Sequence, residues 1–438
     1  MTASIIFIVV VLAALIRPTV FGRRVGFALI GLLGLSAAIV TKAISVDAAT
    51  STLMELLPAL ATILSLMLMV GCFVAVGLMD SVQSVILGAA REDSRRLLSM
   101  LFWCGAVFGA FFTNDAAILL MTPLVIRLCH KREGALSEED HMPFLFAVLY
   151  VGNLVGALVI SNPINVVAAS VFDISFVEYS LWMFLPAASS MLISWWGLLF
   201  AFRKSLESNP KFAVGPETFV PTSERLSSDL HKKVVGALLI GVLLGFSLED
   251  AFGVPISAVA IVGAAVMCLY MLLAGCDKKA ITSRVDISIL VFMACIFTLA
   301  VAVRDSGSIE GLLAVFEALV RQGTEQSILW VSYLCAVVAA CINNHSTVSV
   351  MVWLIEGLSL GANEEKMMVL ASLIGADLGP KMIPIGSLAA MMWLSMVQRS
   401  GFKVSIWSYI KIGVPVTLLS VGLSGTILAA QFALFASP

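Results

Sequence analysis

The sequence predicts an all-α, polytopic membrane protein built from two inverted-topology repeats, and three observations predict it. First, 60% of the 438 residues are hydrophobic and only 12% are charged, which leaves too little polar surface for a water-soluble globule. Second, apolar runs long enough to cross a hydrocarbon core of about 30 Å recur along the chain. Third, the second half repeats the order of runs in the first. The net charge of −2 favours no nucleic-acid partner.

Twelve apolar runs follow one another along the chain. They cover residues 3–20, 25–40, 56–79, 97–129, 143–172, 181–202, 234–248, 254–274, 286–303, 327–360, 367–397 and 407–435. The first run lacks a basic n-region and a small-residue cleavage site, so we expect a retained span rather than a signal peptide. Runs 97–129 and 327–360 exceed one crossing and carry polar residues in the middle, which indicates re-entrant helical hairpins.

Each half then contains three plain scaffold spans, a hairpin, an interrupted span and a further plain span. Residues 1–202 are predicted to form the first inverted repeat and residues 234–438 the second, with the polar stretch 203–233 as a cytoplasmic linker. An odd number of crossings in the first half starts the second half on the opposite face. With the N-terminus outside, 21 of the 26 lysines and arginines fall on one side and four on the other, which makes the first side cytoplasmic.

Four polar segments interrupt these runs: FFTNDAAILL (111–120), VISNPINVVAAS (159–170), ACINNHSTVSV (340–350) and GADLGPKMIPIGS (375–387). An unsatisfied backbone group in lipid costs several kcal/mol, so a broken helix is expected only inside protein or beside a water-filled cavity. Proline lacks an amide hydrogen and glycine permits unwinding. The expected helix breaks are at Pro163, Gly379, Pro380 and Pro384, with Gly375 and Gly386 permitting further unwinding.

Three charged residues lie inside the runs: Asp115, Asp377 and Lys381. A charge at the centre of a membrane helix costs at least ~2.5 kcal/mol, so these side chains should face protein or water. Asp377 and Lys381 could form a structural ion pair that holds the repeats together. Alternatively, Asp115 and Asp377 carry protons across the membrane, and Lys381 tunes Asp377.

Neutral polar residues accompany the charges. They could cap half-helices, bind a neutral solute that carries hydroxyl groups, or complete the oxygen shell of Na⁺. His345 is either a hydrogen-bonded interior histidine or a proton relay. The candidate solute-binding residues are Asn114, Ser161, Asn162, Asn165, Asn343, Asn344, His345, Ser346, Thr347 and Ser387.

Several motifs do not occur in the sequence. The sequence contains no GxxxxGK[ST] loop that could power transport with ATP. It also lacks the HExxH and GxGD motifs, which would indicate an intramembrane protease. The eight cysteines occur singly, without CxxC or Cys/His ligand spacing, so we expect buried apolar residues rather than a zinc site or disulfides. These absences favour a carrier driven by an ion gradient or by the solute's own gradient, without a cofactor or metal, over an enzyme.

The segment IGADLGPKMIPIGSLAAMMWL (374–394) closely resembles the C-terminal region of the ArsB arsenite permease family, within the ion transporter superfamily. Weaker similarities occur at FFTNDAAILLMTPLVI (111–126), SNPINVVAASVFDISFVEYS (161–180), GVPISAVAIVGA (253–264) and INNHSTV (342–348). The resemblance implies an inner-membrane exporter of As(III) and Sb(III), as neutral hydroxides, in exchange for protons. Some members pair with a soluble ATPase subunit.

Carried over position by position, the resemblance marks Asn114, Asp115, Ser161, Asn162, Asn165, Asn343, Asn344, Asp377, Gly379, Pro380, Lys381 and Ser387. The chain departs from the family pattern in reading NDAAI, SNPIN and NNHST where such permeases read NDGAA, SNLVN and NNMPT. The last change places His345 and Ser346 beside the paired asparagines. A Na⁺/H⁺ antiporter or a carboxylate carrier of the same superfamily therefore stays an alternative, although no arginine lies inside a core span.

Overall fold

The structure is a computed structural model that describes residues 2–16, 18–20, 23–90, 93–130, 138–208, 229–307, 310–321, 323–358, 360–383 and 386–435. The regular secondary structure of its described part is helical apart from a two-residue antiparallel ladder, in which Thr19–Val20 pairs with Arg23–Arg24. Large apolar side chains are exposed on the outside of the bundle, with Val40 at 81% and Leu273 at 80% exposure. Such a surface suits contact with lipid.

The first half contributes ten helices within the described residues. They are α1 Thr2–Ile16, α2 Phe27–Val40, α3 Val46–Ala75, α4 Leu78–Ala90, α5 Ser94–Phe111, α6 Asn114–His130, α7 Glu138–Val151, α8 Pro163–Val171, α9 Phe176–Ala201 and α10 Arg203–Ser208. Helices α5 and α6 form the first hairpin, and α7 and α8 are the two arms of the first interrupted span.

The second half repeats this order. Its helices are α11 Asp229–Gly245, α12 Leu248–Phe252, α13 Ile256–Leu273, α14 Lys278–Thr282, α15 Ile287–Asp305, α16 Glu310–Val320, α17 Thr324–Ile342, α18 Asn344–Glu356, α19 Ala362–Leu378, α20 Leu388–Arg399 and α21 Ile406–Phe435. Helices α17 and α18 form the second hairpin, and α19 and α20 are the arms of the second interrupted span. The predicted hairpins and interrupted spans are confirmed.

The two repeats interlock by reciprocal contacts. Helix α2 of the first repeat packs on α15 of the second, while α13 of the second packs on α3 of the first. Likewise α8 packs on α18 and α6 on α20, and the final spans α9 and α21 lie side by side. Each contact has its counterpart with the repeats exchanged, as an approximate two-fold axis between inverted repeats requires.

Six described helices are long and apolar enough to span a membrane. They are Val46–Ala75, Phe176–Ala201, Ile256–Leu273, Lys278–Asp305 (α14 and α15 taken together), Thr324–Ile342 and Ile406–Phe435. Helix α3 begins ten residues before the run predicted at 56–79, because Ser45 caps it through the amide of Ala48 at 3.1 Å and its first turns are polar. Helix α11 begins at Asp229, inside the predicted linker 203–233, of which 209–228 lies outside the described residues.

Polar contacts between distant segments agree with the side assigned to each residue by the distribution of basic residues. In every case both partners fall on the same predicted side. On the cytoplasmic side these contacts are Arg95 with Glu207 at 2.8 Å and Lys232 with Ser81 at 3.1 Å. On the other side they are Lys366 with Glu178 and Arg304 with Glu356, each at 2.8 Å.

Candidate transport site

Four half-helices begin within the bundle, and in each the first free amides are capped by a side chain of the same segment. A helix start leaves unpaired N–H groups that water would otherwise satisfy, so a side-chain oxygen must replace the water. The caps and the amides that donate to them are Thr113 with Ala116 (3.1 Å), Asn162 with Ile164 (3.3 Å), Asn343 with Ser346 (3.0 Å) and Ser387 with Ala390 (3.4 Å).

Asp377 lies where the two interrupted spans meet, and it is 1% exposed. Its Oδ1 accepts a hydrogen bond from Asn162 Nδ2 at 2.6 Å. Its Oδ2 accepts from the Gly156 amide at 3.0 Å and from Asn165 Nδ2 at 3.3 Å. The carboxylate of the second repeat is therefore held by three neutral donors of the first.

The absence of a side chain at Gly156 permits this contact. A Cβ atom at this position would lie 2.2 Å from Ser161 Oγ and 2.5 Å from Asn165 Nδ2. The Tyr179 hydroxyl donates to the Gly156 carbonyl at 3.3 Å and so also holds the following peptide unit of the same residue. Only glycine allows the backbone amide to approach the Asp377 carboxylate this closely.

Lys381 is fully buried, but it does not pair with Asp377. Its Nζ donates to Ser194 Oγ on α9 at 2.9 Å and lies 5.4 Å from the centre of the Tyr150 ring. The structural ion pair that the spacing of four residues allowed is therefore wrong. The α19 helix ends at Leu378, and one 3-10 turn over Gly379–Lys381 directs the lysine away from the carboxylate.

Gly375 and Gly379, in and directly after α19, have a role different from the predicted unwinding of the helix. Gly375 lies within the helix and Gly379 keeps right-handed helical angles, φ −51° and ψ −43°. A Cβ at either position would lie 2.2 Å from a carbonyl oxygen of α17, that of Ser332 or Ala336 respectively. These two glycines permit close helix packing rather than unwinding.

The breaks themselves lie beside the predicted prolines. Pro163 is the first residue of α8, so the chain is unwound before it rather than at it. Pro380 is in the 3-10 turn, where its carbonyl accepts from the Tyr409 hydroxyl at 3.0 Å. Pro384 lies outside the described residues. Proline is compatible with a helix start because its missing amide hydrogen would have no partner there.

The first hairpin turns at Phe112 and Thr113. Asn114 opens α6, and its Nδ2 donates to the Leu154 carbonyl in the unwound part of the first interrupted span, at 3.1 Å. Asp115 follows it as the second residue of α6, and its side chain lies outside the described part. Asn114 therefore ties the hairpin to the break beside Asp377.

The second hairpin turns at Asn343, which has a positive φ of 74°. Thr347 returns its hydroxyl to the Asn343 carbonyl at 2.7 Å, and Asn344 Oδ1 lies 2.9 Å from His345 Nδ1. On the first interrupted span, the Ser161 hydroxyl donates to the carbonyl of Leu158, three residues earlier in the same segment, at 2.6 Å. Several predicted solute-binding residues therefore also stabilise their own turns.

Some buried polar atoms of these segments have no hydrogen-bond partner. A buried polar atom without a partner costs about 1–3 kcal/mol, so such atoms mark places where a solute could be held. The helices that carry them, α8 and α18, pack against each other. The atoms are Asn165 Oδ1, Asn343 Nδ2, His345 Nε2 and Ser346 Oγ.

A mainly apolar cavity approaches these segments from the predicted cytoplasmic side. It reaches the starts of α6 and α8, where Thr113, Ala116 and Pro163 line it. Arg284 and Asp286, which precede α15, line the same cavity. The cavity therefore lies between residues of the predicted cytoplasmic end and two of the half-helix starts.

Sequence reasoning missed the partners that complete this site. Thr113 has a recognisable signal, because threonine directly before a helical run is a common N-cap. Gly156, Tyr179 and Ser194 have none: one is a glycine in a short turn, and two are polar residues on a long apolar helix. The contacts of Gly156 with Asp377 and of Ser194 with Lys381 each join residues more than 180 positions apart. Tyr179 acts only through its bond to the Gly156 carbonyl.

Interlocked inverted repeats, re-entrant hairpins and interrupted spans that meet at buried polar groups define the class of secondary membrane transporters. The chain belongs to the CitMHS family, described as citrate transporter, whose family model matches residues 7–375. It is therefore a multi-pass membrane transporter rather than an enzyme. In bacteria, such a transporter resides in the inner membrane.

Curated relatives confirm the resemblance to arsenite permeases. The arsenical pump membrane protein of Escherichia coli K12 is 28% identical over 347 residues, which cover 78% of this chain and 79% of the relative. That of Yersinia enterocolitica is 28% identical over 339 residues, 74% of this chain and 75% of the relative. An uncharacterized transporter of Mycobacterium tuberculosis is 24% identical over 381 residues, 85% and 86% of the two chains.

A solved structure has the same fold. The crystal structure of the YdaH transporter of Alcanivorax borkumensis, described as having an unusual topology, matches with a TM-score of 0.63 over 99% of both chains. The sequence identity is 14%, so this similarity concerns the fold alone.

Proposed function

We propose that this protein exports arsenite and antimonite from the cytoplasm, as neutral hydroxides, in exchange for protons. The observation that carries the proposal is the Asp377 carboxylate, which three neutral donors hold at the contact of the two interrupted spans. Relatives named as arsenical pump membrane proteins over about three quarters of the chain support this choice of solute. Export would use the proton gradient, with or without a separate soluble ATPase subunit.

The chemistry of the site suits a neutral, hydroxyl-bearing solute. As(OH)₃ can donate to Asn165 Oδ1 and accept from Asn343 Nδ2, two buried atoms that have no partner in the protein. Amides and hydroxyls bind such a molecule weakly, which permits release on the other side. Thiolates would be far stronger ligands for trivalent arsenic, and no cysteine is among these residues.

Asp377 is the first candidate for proton exchange, and Asp115 the second. When charged, the Asp377 carboxylate is an acceptor for its three donors, which join the second repeat to the first. When protonated, it loses part of this acceptor capacity and becomes a donor itself. Protonation would thereby loosen the contact between the interrupted spans, and such loosening couples a proton to alternating access. Lys381, held by Ser194, would tune Asp377 by its charge rather than through a direct contact.

A citrate carrier is the second candidate, because the family description names citrate. A citrate anion needs several cationic or amide donors. Lys381 is the one buried lysine or arginine in the described part of the chain, and its Nζ is directed to Ser194. The half-helix starts could supply amides, but their own side chains cap them. These two observations favour the neutral solute.

The test is uptake into everted membrane vesicles, in which the cytoplasmic face is outside. As(III), Sb(III), citrate and Na⁺ are offered separately under an imposed proton gradient. We expect arsenite and antimonite to accumulate and the accumulation to collapse when a protonophore is added. Gradient-driven citrate uptake, or proton movement with Na⁺ alone, would instead assign the protein to one of the alternatives.

Asp377→Asn tests the proton carrier. Asparagine keeps the shape but cannot exchange a proton, so arsenite accumulation should fall to the level of vesicles without the protein. Asp47→Asn, at an exposed position at the start of α3, is the matched control and should accumulate arsenite like the unaltered protein. Concentrative uptake by Asp377→Asn would exclude Asp377 as the proton carrier.

A further inference from the structure

Two cysteines from different repeats meet at one end of the scaffold. Cys72 lies in the last turns of α3, Cys268 lies in the second half of α13, and their Sγ atoms are 3.8 Å apart. Cys72 is buried and Cys268 is partly exposed. The sequence, in which the cysteines are 196 positions apart, predicted isolated apolar residues, so this pairing corrects that expectation.

The thiol pair lies at the predicted cytoplasmic end of both helices. Helix α13 is followed by Lys278 and Lys279, and helix α3 is followed by Ser81, whose hydroxyl accepts from Lys232 at 3.1 Å. The pair is separate from Asp377 and the half-helix starts.

From this geometry we infer that Cys72 and Cys268 form a dithiol site for trivalent arsenic, distinct from the transport site. Soft thiolate ligands suit such an ion, and the two sulfurs are already near van der Waals contact. A disulfide is the poorer match, because the sulfurs would have to close to about 2.05 Å and an oxidant would be needed at a reducing cytoplasmic end. The choice of arsenic over other thiophilic ions rests on the proposed function.

The reaction balances without a redox partner. Arsenite, As(OH)₃, condenses with the two thiols: two As–S bonds form and two As–O bonds break. Each thiol proton leaves with one hydroxide, so two waters are released and one hydroxyl stays on arsenic, which remains trivalent. The product clips α3 of the first repeat to α13 of the second, along a contact that already joins the repeats.

The site is tested on the purified full-length protein in detergent, reduced beforehand and then titrated with sodium arsenite. Bound arsenic is counted by elemental mass spectrometry after desalting. One arsenic should bind per chain, and Cys72→Ala or Cys268→Ala should each weaken binding by about 100-fold or more, because the second thiol acts intramolecularly. The matched controls are Cys295→Ala for the buried thiol and Cys104→Ala for the partly exposed one, and both should bind like the unaltered protein.

A second measurement needs no variant. Arsenite should slow the alkylation of Cys268 in the unaltered protein, and an excess of a small dithiol should restore the rate. Tight binding that survives either single substitution, or an alkylation rate that arsenite does not change, would overturn the site. Because this binding is measured without a membrane or gradient, it can succeed while vesicle transport fails, or fail while transport succeeds.

Discussion

At the scale of single residues, several polar side chains at the breaks have two tasks at once. Asn162 Oδ1 caps α8 while its Nδ2 donates to Asp377. Asn343 Oδ1 caps α18 while its Nδ2 has no partner. The sequence left capping and solute binding as alternatives, but an amide has an acceptor and a donor at opposite edges. In both asparagines the cap uses the oxygen, while the amide nitrogen serves Asp377 in Asn162 and has no partner in Asn343.

Gly156→Ala should disrupt the Asp377 contact. The added methyl would displace Asn165 and Ser161, which lie within 2.5 Å of its position, so we expect a cost of about 1–3 kcal/mol and at least a tenfold loss of arsenite accumulation. Thermal unfolding in detergent and vesicle uptake measure the two effects. Gly241→Ala is the control, because a Cβ there meets no atom within 4 Å. Normal uptake by Gly156→Ala would contradict the close fit.

Ser194→Ala should destabilise the fold, because it removes the hydroxyl partner of a buried ammonium. We expect a cost of about 1–3 kcal/mol, read as a lower midpoint of thermal unfolding. In the control, Ser180→Ala, the hydroxyl donates only to the Phe176 carbonyl of its own helix, so the midpoint should hardly change. Equal midpoints for the two variants would show that Lys381 does not depend on Ser194.

The partners of the buried charges could not be predicted. Four residues apart, Asp377 and Lys381 would share a face of a continuous helix, and the expectation of a pair rested on that spacing. The 3-10 turn over Gly379–Lys381 interrupts the α-helical spacing, so the relation of a continuous helix does not hold between the two residues. Ser194 also looks like any small residue in an apolar span, and only the packing of α9 against the broken segment gives it a buried lysine.

At the scale of helices, run length and polar midpoints predicted the hairpins and interrupted spans well. Those signals failed where a helix is amphipathic rather than apolar throughout. Helix α4 is only 13 residues long, and the residues that it buries, Met79, Asp80, Gln83, Ile86 and Ala90, include two polar ones. A search for long apolar runs ignores such a helix, and α16 was missed for the same reason.

Gly375→Ala and Gly379→Ala should each push α19 away from α17. Their backbones approach carbonyl oxygens so closely that a Cβ would lie 2.2 Å from an oxygen, and neither backbone can yield alone. We expect each variant to lose about 1–3 kcal/mol of stability, measured by thermal unfolding and by the folded yield in size-exclusion chromatography. Gly236→Ala in α11, where a Cβ meets nothing within 4 Å, should unfold like the unaltered protein.

At the scale of the whole molecule, the interlocked repeats require that the two halves have opposite orientations. The distribution of basic residues predicts which face is cytoplasmic. The contacts of Lys366 with Glu178 and of Arg95 with Glu207, which join distant positions of the chain, agree with this prediction. The domain boundaries predicted from composition remain predictions. Composition locates a polar stretch, but it does not say where the next helix begins.

Labelling of introduced cysteines in intact cells tests this orientation. Asp305→Cys, at an exposed position on the predicted outer face, should react with a membrane-impermeant maleimide. Glu207→Cys, exposed in α10 on the predicted inner face, should react only after the cells are permeabilised. The unaltered protein, with its eight native cysteines, is the background control. The opposite pattern would invert the topology.

The hydrogen bond from Asn162 to Asp377 joins residues 215 positions apart, and it has a consequence for biosynthesis. A ribosome must deliver nearly the whole chain before Asn162, Asn165 and the Gly156 amide meet their acceptor. Until α19 is inserted, the first interrupted span lacks the carboxylate that accepts its three hydrogen bonds. The candidate transport site is therefore completed only late in synthesis, and a nascent chain that stalls before α19 presents an unfinished break to the quality-control proteases of the membrane.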